Sequence, residues 1–508
     1  MRSKRALLNF VTSLILEIIT VVSGFIIPQL LIRSFGSSAY GLTTSITQFF
    51  GYLTLLQSGV GGVVRAALYK PLADKDGDKL NCVIRSTESF FQKLAGIATL
   101  YAIILMFGFR FINNEFGFWY TASMVAVISV GTLFQYFFGI TYQMLLQADQ
   151  RSYIYSLLQM ACTILNIVLV SLTVCFGASI HIVKLVGSVV FALRPIIINL
   201  YVRKKYKIKR NVEKDMQVIS QRWDGFGQTV AYFIHTKTDV FLITLFLTYA
   251  KVSVYSVYAL VASGLNTFVT SISNAVQAAF GNMIAKKEKD ILDKNFNSFL
   301  TLVHMAATIL FSTAIIMVIP FVRLYTARFD NSSMYINPAL AIFLLLAECM
   351  YCYRLPYHTI VTSAGHYKQT RVGAYIEASI NIVFSLILIF FMGVQGVALA
   401  TLLAMIFRTC DYVRYLSKNL LNAPISSFAK HMAVNCAVLA ASVLIAIVFT
   451  IQNECVGYLS WILLSVCAVV AVSIVTVFLN YRFFKTDVMS IKELVYRLKK
   501  KSAKQVNE

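Results

Sequence analysis

The pentad His235-Thr236-Lys237-Thr238-Asp239 puts three ionisable groups close to the middle of an apolar run, Trp223–Thr248. An ionisable side chain in hydrocarbon is costly and normally faces a partner or a water-filled cavity, so such groups are candidate sites by default. At 100° per residue His235 and Asp239 share a helix face while Lys237 points nearly opposite. Either the helix breaks there or one group pairs with a neighbour. Lys237 could pair with Asp239 or with Glu17, near the middle of the run Leu7–Arg33. A structural ion pair and a cavity lining both fit. Arg65 follows Gly59-Val60-Gly61-Gly62, small residues that permit close helix approach. It reads either as an arginine snorkelling to headgroups or as a phosphate contact. Arg354 and Glu377 fall at similar depth on adjacent runs and read as an ion pair, or as gating or substrate contacts. Glu348 and His358 each read as satisfied within the core. Pro28 and Pro356 lie inside runs and remove backbone hydrogen bonds, which makes them, with Gly24, hinge candidates.

Enzyme chemistry finds no foothold. The chain has no GxxxxGK[ST] phosphate loop and no Ser-His-Asp or HExxH arrangement, so no catalytic residue is assigned. Cys349 and Cys352 form a CxxC without a second one or a histidine pair at zinc spacing, which reads as core packing. No metal site, cofactor or disulfide framework is expected from the nine cysteines.

The elements that must position these groups are membrane helices. The 508 residues are 58% hydrophobic and 13% charged, against about 25% charged in soluble domains. With a mean hydropathy of +0.72 this excludes an ordinary soluble enzyme. Apolar runs long enough to span number about fourteen. The first continues well past the length of a signal-peptide core and reads as a retained helix. Lys plus Arg total 45 against 22 acidic residues, a net +23. They crowd into alternate connections, such as Lys70–Arg85, Arg203–Arg222, Lys286–Lys294 and the tail from Arg482. The positive-inside rule then puts both termini in the cytoplasm and makes the charge a property of one membrane face, with no nucleic-acid partner. Ile491, Leu494, Val495 and Leu498 recur at helical spacing beside basic residues, the pattern of a surface-lying amphipathic anchor.

A shift of 215 residues sets Tyr40 on Tyr255, Tyr142 on Tyr357 and Asn166-Ile167-Val168 on Asn381-Ile382-Val383, with Arg194 one residue out of register from Arg408. Under the same shift Gly139 and Cys162 stand opposite Arg354 and Glu377: the charges are present together and absent together. Such an internal duplication predicts an all-α integral membrane protein of two six-helix lobes. The two are related by a pseudo-twofold along the membrane normal, with two further C-terminal helices. The expected divisions are 1–202 for the N-lobe, 203–222 for a basic cytoplasmic linker, 223–416 for the C-lobe, 417–481 for the last two spans and 482–508 for the basic tail.

Pro28-Gln29-Leu30-Leu31-Ile32-Arg33-Ser34-Phe35-Gly36-Ser37-Ser38-Ala39-Tyr40-Gly41-Leu42, followed by Gln48-Phe49 and Gly59-Val60-Gly61-Gly62-Val63-Val64-Arg65, resembles bacterial polysaccharide flippases of the Wzx type. These belong to the multidrug/oligosaccharidyl-lipid/polysaccharide exporter superfamily. Thr238-Asp239-Val240-Phe241-Leu242-Ile243 with Val254-Tyr255-Ser256 is similar to the opening of that family's second lobe. Ala364-Gly365, Asn381-Ile382 and Gly396-Val397-Ala398 are similar to its later repeat. The likeness covers nearly the whole chain through loose motifs. It implies alternating access in the bacterial cytoplasmic membrane and an undecaprenyl-pyrophosphate-linked oligosaccharide as cargo, for surface polysaccharide biosynthesis. A glycan polymerase and assembly proteins would be further partners besides membrane lipids. Arg65, Lys237, His235 and Arg354 would contact the substrate; Glu17, Asp239, Glu348 and Glu377 would balance charge or couple ions. Two other readings stay open: a cation-coupled multidrug antiporter of the same fold, which would want unpaired carboxylates, and, more remotely, a membrane glycan polymerase or ligase.

Overall fold

In hydrocarbon no water is available to satisfy backbone N–H and C=O groups, so a chain of this composition must pair them within helices. The computed structural model describes residues 2–112, 115–206, 208–209, 212, 237–421, 425–452 and 457–493, and all their regular structure is helical. Trp223 to Thr236, with His235, and the tail from Leu494 lie outside the described residues. Twelve described helices are long and apolar enough to cross a bilayer. One of them is interrupted at Gly36 and holds two crossings, and the short helix at 237–246 lies in a further apolar run of the sequence, Trp223–Thr248, in keeping with about fourteen. Outward faces carry large apolar side chains, such as Phe111 at 88% and Leu459 at 73% exposure, tolerable only against lipid.

The chain divides into two compact units, Met1–Ser256 and Val257–Glu508. The first contains α1 (Arg2–Gly51), α2 (Leu53–Asp74), α3 (Gly77–Ile112), α4 (Phe118–Phe134), α5 (Ile140–Ala148), α6 (Ser152–Cys175), α7 (Ile180–Tyr206), α8 (237–246) and the start of α9 (Tyr249–Ala285). Within it α1 packs on α6, α4 on α7 and α6 on α7. The helix passes through Gly24 and Pro28 with helical backbone. It breaks eight residues later at Gly36, whose φ of 83° and ψ of 167° suit glycine. The step at Tyr52 between α1 and α2 is stitched by two phenols. Tyr101 donates to the carbonyl of Phe49 at 3.1 Å and Tyr136 to that of Leu53 at 2.6 Å. Between α4 and α5 the backbone makes one π-turn, Gln135–Gly139.

The second unit continues α9 and adds α10 (Lys289–Thr326), α11 (Pro338–Ser363), α12 (Tyr367–Met392), α13 (Val394–Asn419), α14 (Ile425–Gln452) and α15 (Tyr458–Phe483). Asn337 caps α11 by accepting from the Leu340 N–H at 3.1 Å, with Pro338 in the first turn where no donor is needed. Gly393, at φ 59°, turns α12 directly into α13, and Gly396 lets the two approach so closely that a Cβ there would lie 2.3 Å from the Leu388 carbonyl oxygen. A buried polar network joins three helices: His304 contacts the Tyr353 carbonyl at 3.0 Å and Asn435 at 3.1 Å, and Thr308 meets the Tyr353 hydroxyl at 2.7 Å.

In the first unit, Gly41 faces the beginning of α9, where a Cβ would sit 1.8 Å from the backbone oxygen of Tyr249. Gly62 has nothing within 4 Å of its Cβ position. Overpacking typically costs about 1–3 kcal/mol, so Gly41→Ala is expected to lower the melting temperature in detergent, whereas Gly62→Ala leaves it unchanged or slightly raised. Equal melting of Gly41→Ala and the parent would contradict this packing.

Candidate functional site

Polar side chains withdrawn from lipid collect around spaces between helices, and the first unit has such a place. A cavity of about 610 Å³ lies among α1, α2, α4, α6 and α7, together with the π-turn and α5. Three glycines shape it. Gly131 faces the Ser188 carbonyl, Gly187 stands 2.9 Å from the Asn166 Oδ1 by its Cβ position, and Gly139 leaves room for the folded-back side chain of Gln135. The π-turn puts Gln135 and Tyr136 on the cavity wall. Gln135 accepts from Arg194 Nη2 at 2.9 Å and donates to Gln143 at 3.2 Å, while Arg194 Nη1 donates to Gln159. Arg194 also lies 5.2 Å from the centre of the Tyr155 ring. Its guanidinium is therefore held by amides and an aromatic face, with no carboxylate paired to it among the described residues.

The candidates from the sequence fall around this cavity unevenly. Lys237 opens α8; a Cβ on Gly51, a cavity-wall residue, would lie 3.7 Å from its Cε, and the lysine makes no ion pair among the described residues. Asp239 is buried and accepts the Tyr255 hydroxyl at 2.5 Å. Nearby, Phe241 packs against Phe49 and Tyr52 with ring centres 5.0 and 5.7 Å apart. Arg65 donates to Gln147 at 2.9 Å, tying α2 to α5. Glu17 sits on an exposed face of α1 and makes no ion pair among the described residues. His235 lies outside the described residues.

In the second unit the charges compensate one another. Arg354 Nη1 lies 2.8 Å from Glu377 Oε1, and the other carboxylate oxygen is 3.3 Å from Arg408 Nε. Arg408 reaches on to Asp411 at 2.7 Å and is turned away from water: it is 4% exposed, donates to the Tyr412 hydroxyl at 3.0 Å and stacks 4.1 Å from that ring's centre. Gly373 makes the space, since a Cβ there would fall 1.9 Å from Asp411 Oδ2 and 2.2 Å from Arg408 Nη1. The pair of the sequence is thus a four-member chain across α11, α12 and α13. Glu348 accepts from Asn266. Pro356 is buried in α11, whose backbone stays helical around it. Among the described residues no group of histidine, cysteine and acidic side chains could hold a metal ion.

This arrangement of helices occurs in solved transporters. "Lipid II flippase MurJ, inward closed conformation" matches with a TM-score of 0.74 at 16% identity, covering 94% of this chain and 99% of that one. An inward-facing multidrug resistance MATE family transporter of the MOP superfamily gives 0.63 at 13% identity over 78% and 94%. A mutant form of VcmN, a MATE transporter from Vibrio cholerae, gives 0.55 at 15% over 82% and 99%. The chain shares their fold. No family model matches the sequence, and no curated protein does.

Lys184, Arg194, Arg408 and Asp411 are the charged groups that the sequence reading did not single out as a site. All four lie within helices long and apolar enough to cross a membrane, a signal that was available. The amide partners of Arg194 carry no charge, so nothing in the sequence marks them. The third arm of the second cluster changes what a variant should do. Glu377→Gln leaves two buried guanidiniums facing each other, and losing one partner of a buried pair costs about 3–5 kcal/mol. Its level in the membrane should fall several-fold. Exchanging the two charges, Arg354→Glu with Glu377→Arg, should not restore it, because the moved guanidinium would confront Arg408. Full recovery by the exchange, read by quantitative immunoblot, would mean Arg408 is not part of the cluster.

Proposed function

We propose that the chain moves undecaprenyl-pyrophosphate-linked oligosaccharide repeat units from the cytoplasmic to the outer leaflet of a bacterial cytoplasmic membrane by alternating access, for the assembly of a surface polysaccharide such as O-antigen, capsule or exopolysaccharide. It is a transporter in this reading, not an enzyme, with both termini cytoplasmic and membrane lipids and the glycan lipid as its partners. The observation that carries it is Lys237: a cation in a membrane helix, beside a polar cavity, with no carboxylate paired to it among the described residues. A diphosphate crossing a medium of low dielectric needs fixed positive charge, in which each contact is stronger than in water. Arg65, held by an amide rather than an acid, offers a second. The fold likeness to a protein titled a lipid II flippase supports the same class of cargo.

The antiporter reading has support of its own from the MATE structures that share the fold. It requires carboxylates able to release and take up cations. Glu377 is locked between two guanidiniums, Glu348 takes a hydrogen bond from Asn266, and Asp239 takes one from Tyr255. Glu17 alone sits on an exposed face without an ion pair among the described residues. These constraints favour the anionic cargo.

Lys237→Ala is expected to reduce glycan export at least tenfold with near-normal protein level. Mass spectrometry of lipid-linked glycans from cells carrying the variant should then reveal accumulated undecaprenyl-pyrophosphate oligosaccharide. Unchanged glycan lipids together with heightened sensitivity to cationic dyes would replace this reading with the antiporter and direct attention to Glu17.

A further inference from the structure

The backbone leaves α15 at Phe484 and resumes as helix over 485–493, where the basic tail begins. This segment is tied to the second unit by two contacts. Phe484 stacks on the His431 ring of α14 with centres 3.6 Å apart, and Asp487, in the first turn of the segment, hydrogen-bonds the Thr301 hydroxyl on α10. Thr301 also meets His431 Nε2 at 3.2 Å, so one hydroxyl stands between a carboxyl of the tail and an imidazole of the bundle. Thr301 is 0% exposed and His431 2%, which keeps water from standing in for a missing partner.

The proton count follows from the donors and acceptors. His431 Nδ1 lies 2.9 Å from the Ser427 carbonyl, which only accepts, so Nδ1 carries a hydrogen. Nε2 then donates only when the ring is cationic, and Thr301 has a single hydrogen to give. With His431 cationic, Nε2 donates to Thr301 and Thr301 donates to the Asp487 carboxylate. With His431 neutral, a protonated Asp487 donates to Thr301 and Thr301 donates to Nε2. Both arrangements are complete and both hold one titratable proton, which belongs to the pair. Burial pushes the Asp487 carboxyl up, against the opposing hydrogen bond from Thr301, and so favours the second. Without that proton two acceptors compete for one hydroxyl hydrogen.

The surrounding charges do not replace it. His304 on α10 stands edge-on to His431 at 5.8 Å, with its nitrogens taken by the Tyr353 carbonyl and the Asn435 amide. Asp293 and Lys294 lie about two turns from Thr301 along α10. Lys430 on α14, Arg414 and Lys418 on α13, and Arg482 and Lys485 beside Phe484 are exposed and make no ion pair with Asp487 among the described residues. Arg408 and Asp411 on α13 are bound to each other, and Arg408 to Glu377.

We infer that residues 485–493 are a proton-dependent latch: the single proton shared by Asp487 and His431 through Thr301 holds the segment against α10 and α14, and its loss releases the segment with the tail that follows. The latch thereby reads the pH on the membrane face where the tail emerges. Detached, the two groups titrate near about 3.9 and 6.5, and between those values the detached pair also binds one proton, so docking is strongest there. Above about pH 6.5 the docked pair keeps a proton that the detached pair has lost, and docking weakens by about tenfold per pH unit until the docked pair gives it up too.

The test is hydrogen exchange of the 485–493 peptide in the purified full-length protein, from about pH 5.5 to 8.5 and corrected for the intrinsic exchange rate. Protection should fall at least tenfold across the range, while a reference peptide from α12 stays constant. Asp487→Asn supplies a permanent donor to Thr301, and His431→Gln keeps an amide where Nε2 stood, so each should stay protected at every pH. Thr301→Val removes the bridge and should lose protection at least tenfold at every pH. Protection of the parent that does not vary with pH, an unchanged pH dependence in Asp487→Asn, or parental protection in Thr301→Val overturns the latch. Elution as a single monodisperse peak confirms that each variant is folded. The latch rests on the second unit alone, and its readout is independent of whether the chain exports a glycan.

Discussion

Every departure from regular helix inside the bilayer leaves backbone groups that only the protein can satisfy. Several such departures in the first unit are answered or exploited. Gly36 supplies a dihedral pair that other residues resist, and two tyrosine hydroxyls meet the carbonyls beside the Tyr52 step. The π-turn at Gln135–Gly139 and Pro195 within α7 occur where polar side chains gather. A π-turn in a helix frequently coincides with function because it re-aims side chains at small energetic cost. Here it places Gln135 where it can take one arm of Arg194 and pass a hydrogen bond to Gln143. The polar cavity is thus a product of interrupted helices, and the surrounding unbroken ones give it walls.

Charge is handled differently in the two halves. In the second unit three helices exchange two guanidiniums and two carboxylates in a chain closed by tyrosine rings, with Gly373 clearing the space. Such a cluster fixes how α11, α12 and α13 pack, and its members are committed to one another. In the first unit ion pairs such as Arg85–Glu88 and Arg151–Asp149 also occur, but Arg65 and Arg194 are held by amides, and Lys184 on the cavity wall has no ion pair among the described residues. A duplicated fold can in this way devote one copy of a position to architecture and the other to binding.

The helical class and the number of crossings were legible because apolar runs separated by polar breaks are a strong pattern over twenty residues, even where Gly393 leaves almost no connection. The contact between Arg354 and Glu377 was legible from their joint presence in one half and joint absence in the other. Arg408 was not, because its match to Arg194 slips by one residue and its second partner, Asp411, lies outside the pattern. The cavity was illegible for a different reason: Gly131, Gly139 and Gly187 are unremarkable in a sequence, and only the approach of other helices gives them meaning. The break at Gly36 was not legible, since a single glycine in an apolar run gives no sign of the positive φ that ends the helix there; Gly24 and Pro28 keep helical backbone.

Lys184 and Arg194 stand ten residues apart on one helix, about 15 Å along its axis, half of a hydrocarbon core about 30 Å thick. A charge shifting from one to the other would cross a comparable share of the membrane's electric field, which is worth about 2.3 kcal/mol per elementary charge for each 100 mV across the whole membrane. A mobile charge passing between the two ends of this cavity wall would therefore be driven by the membrane potential, without any charged segment of the protein having to move.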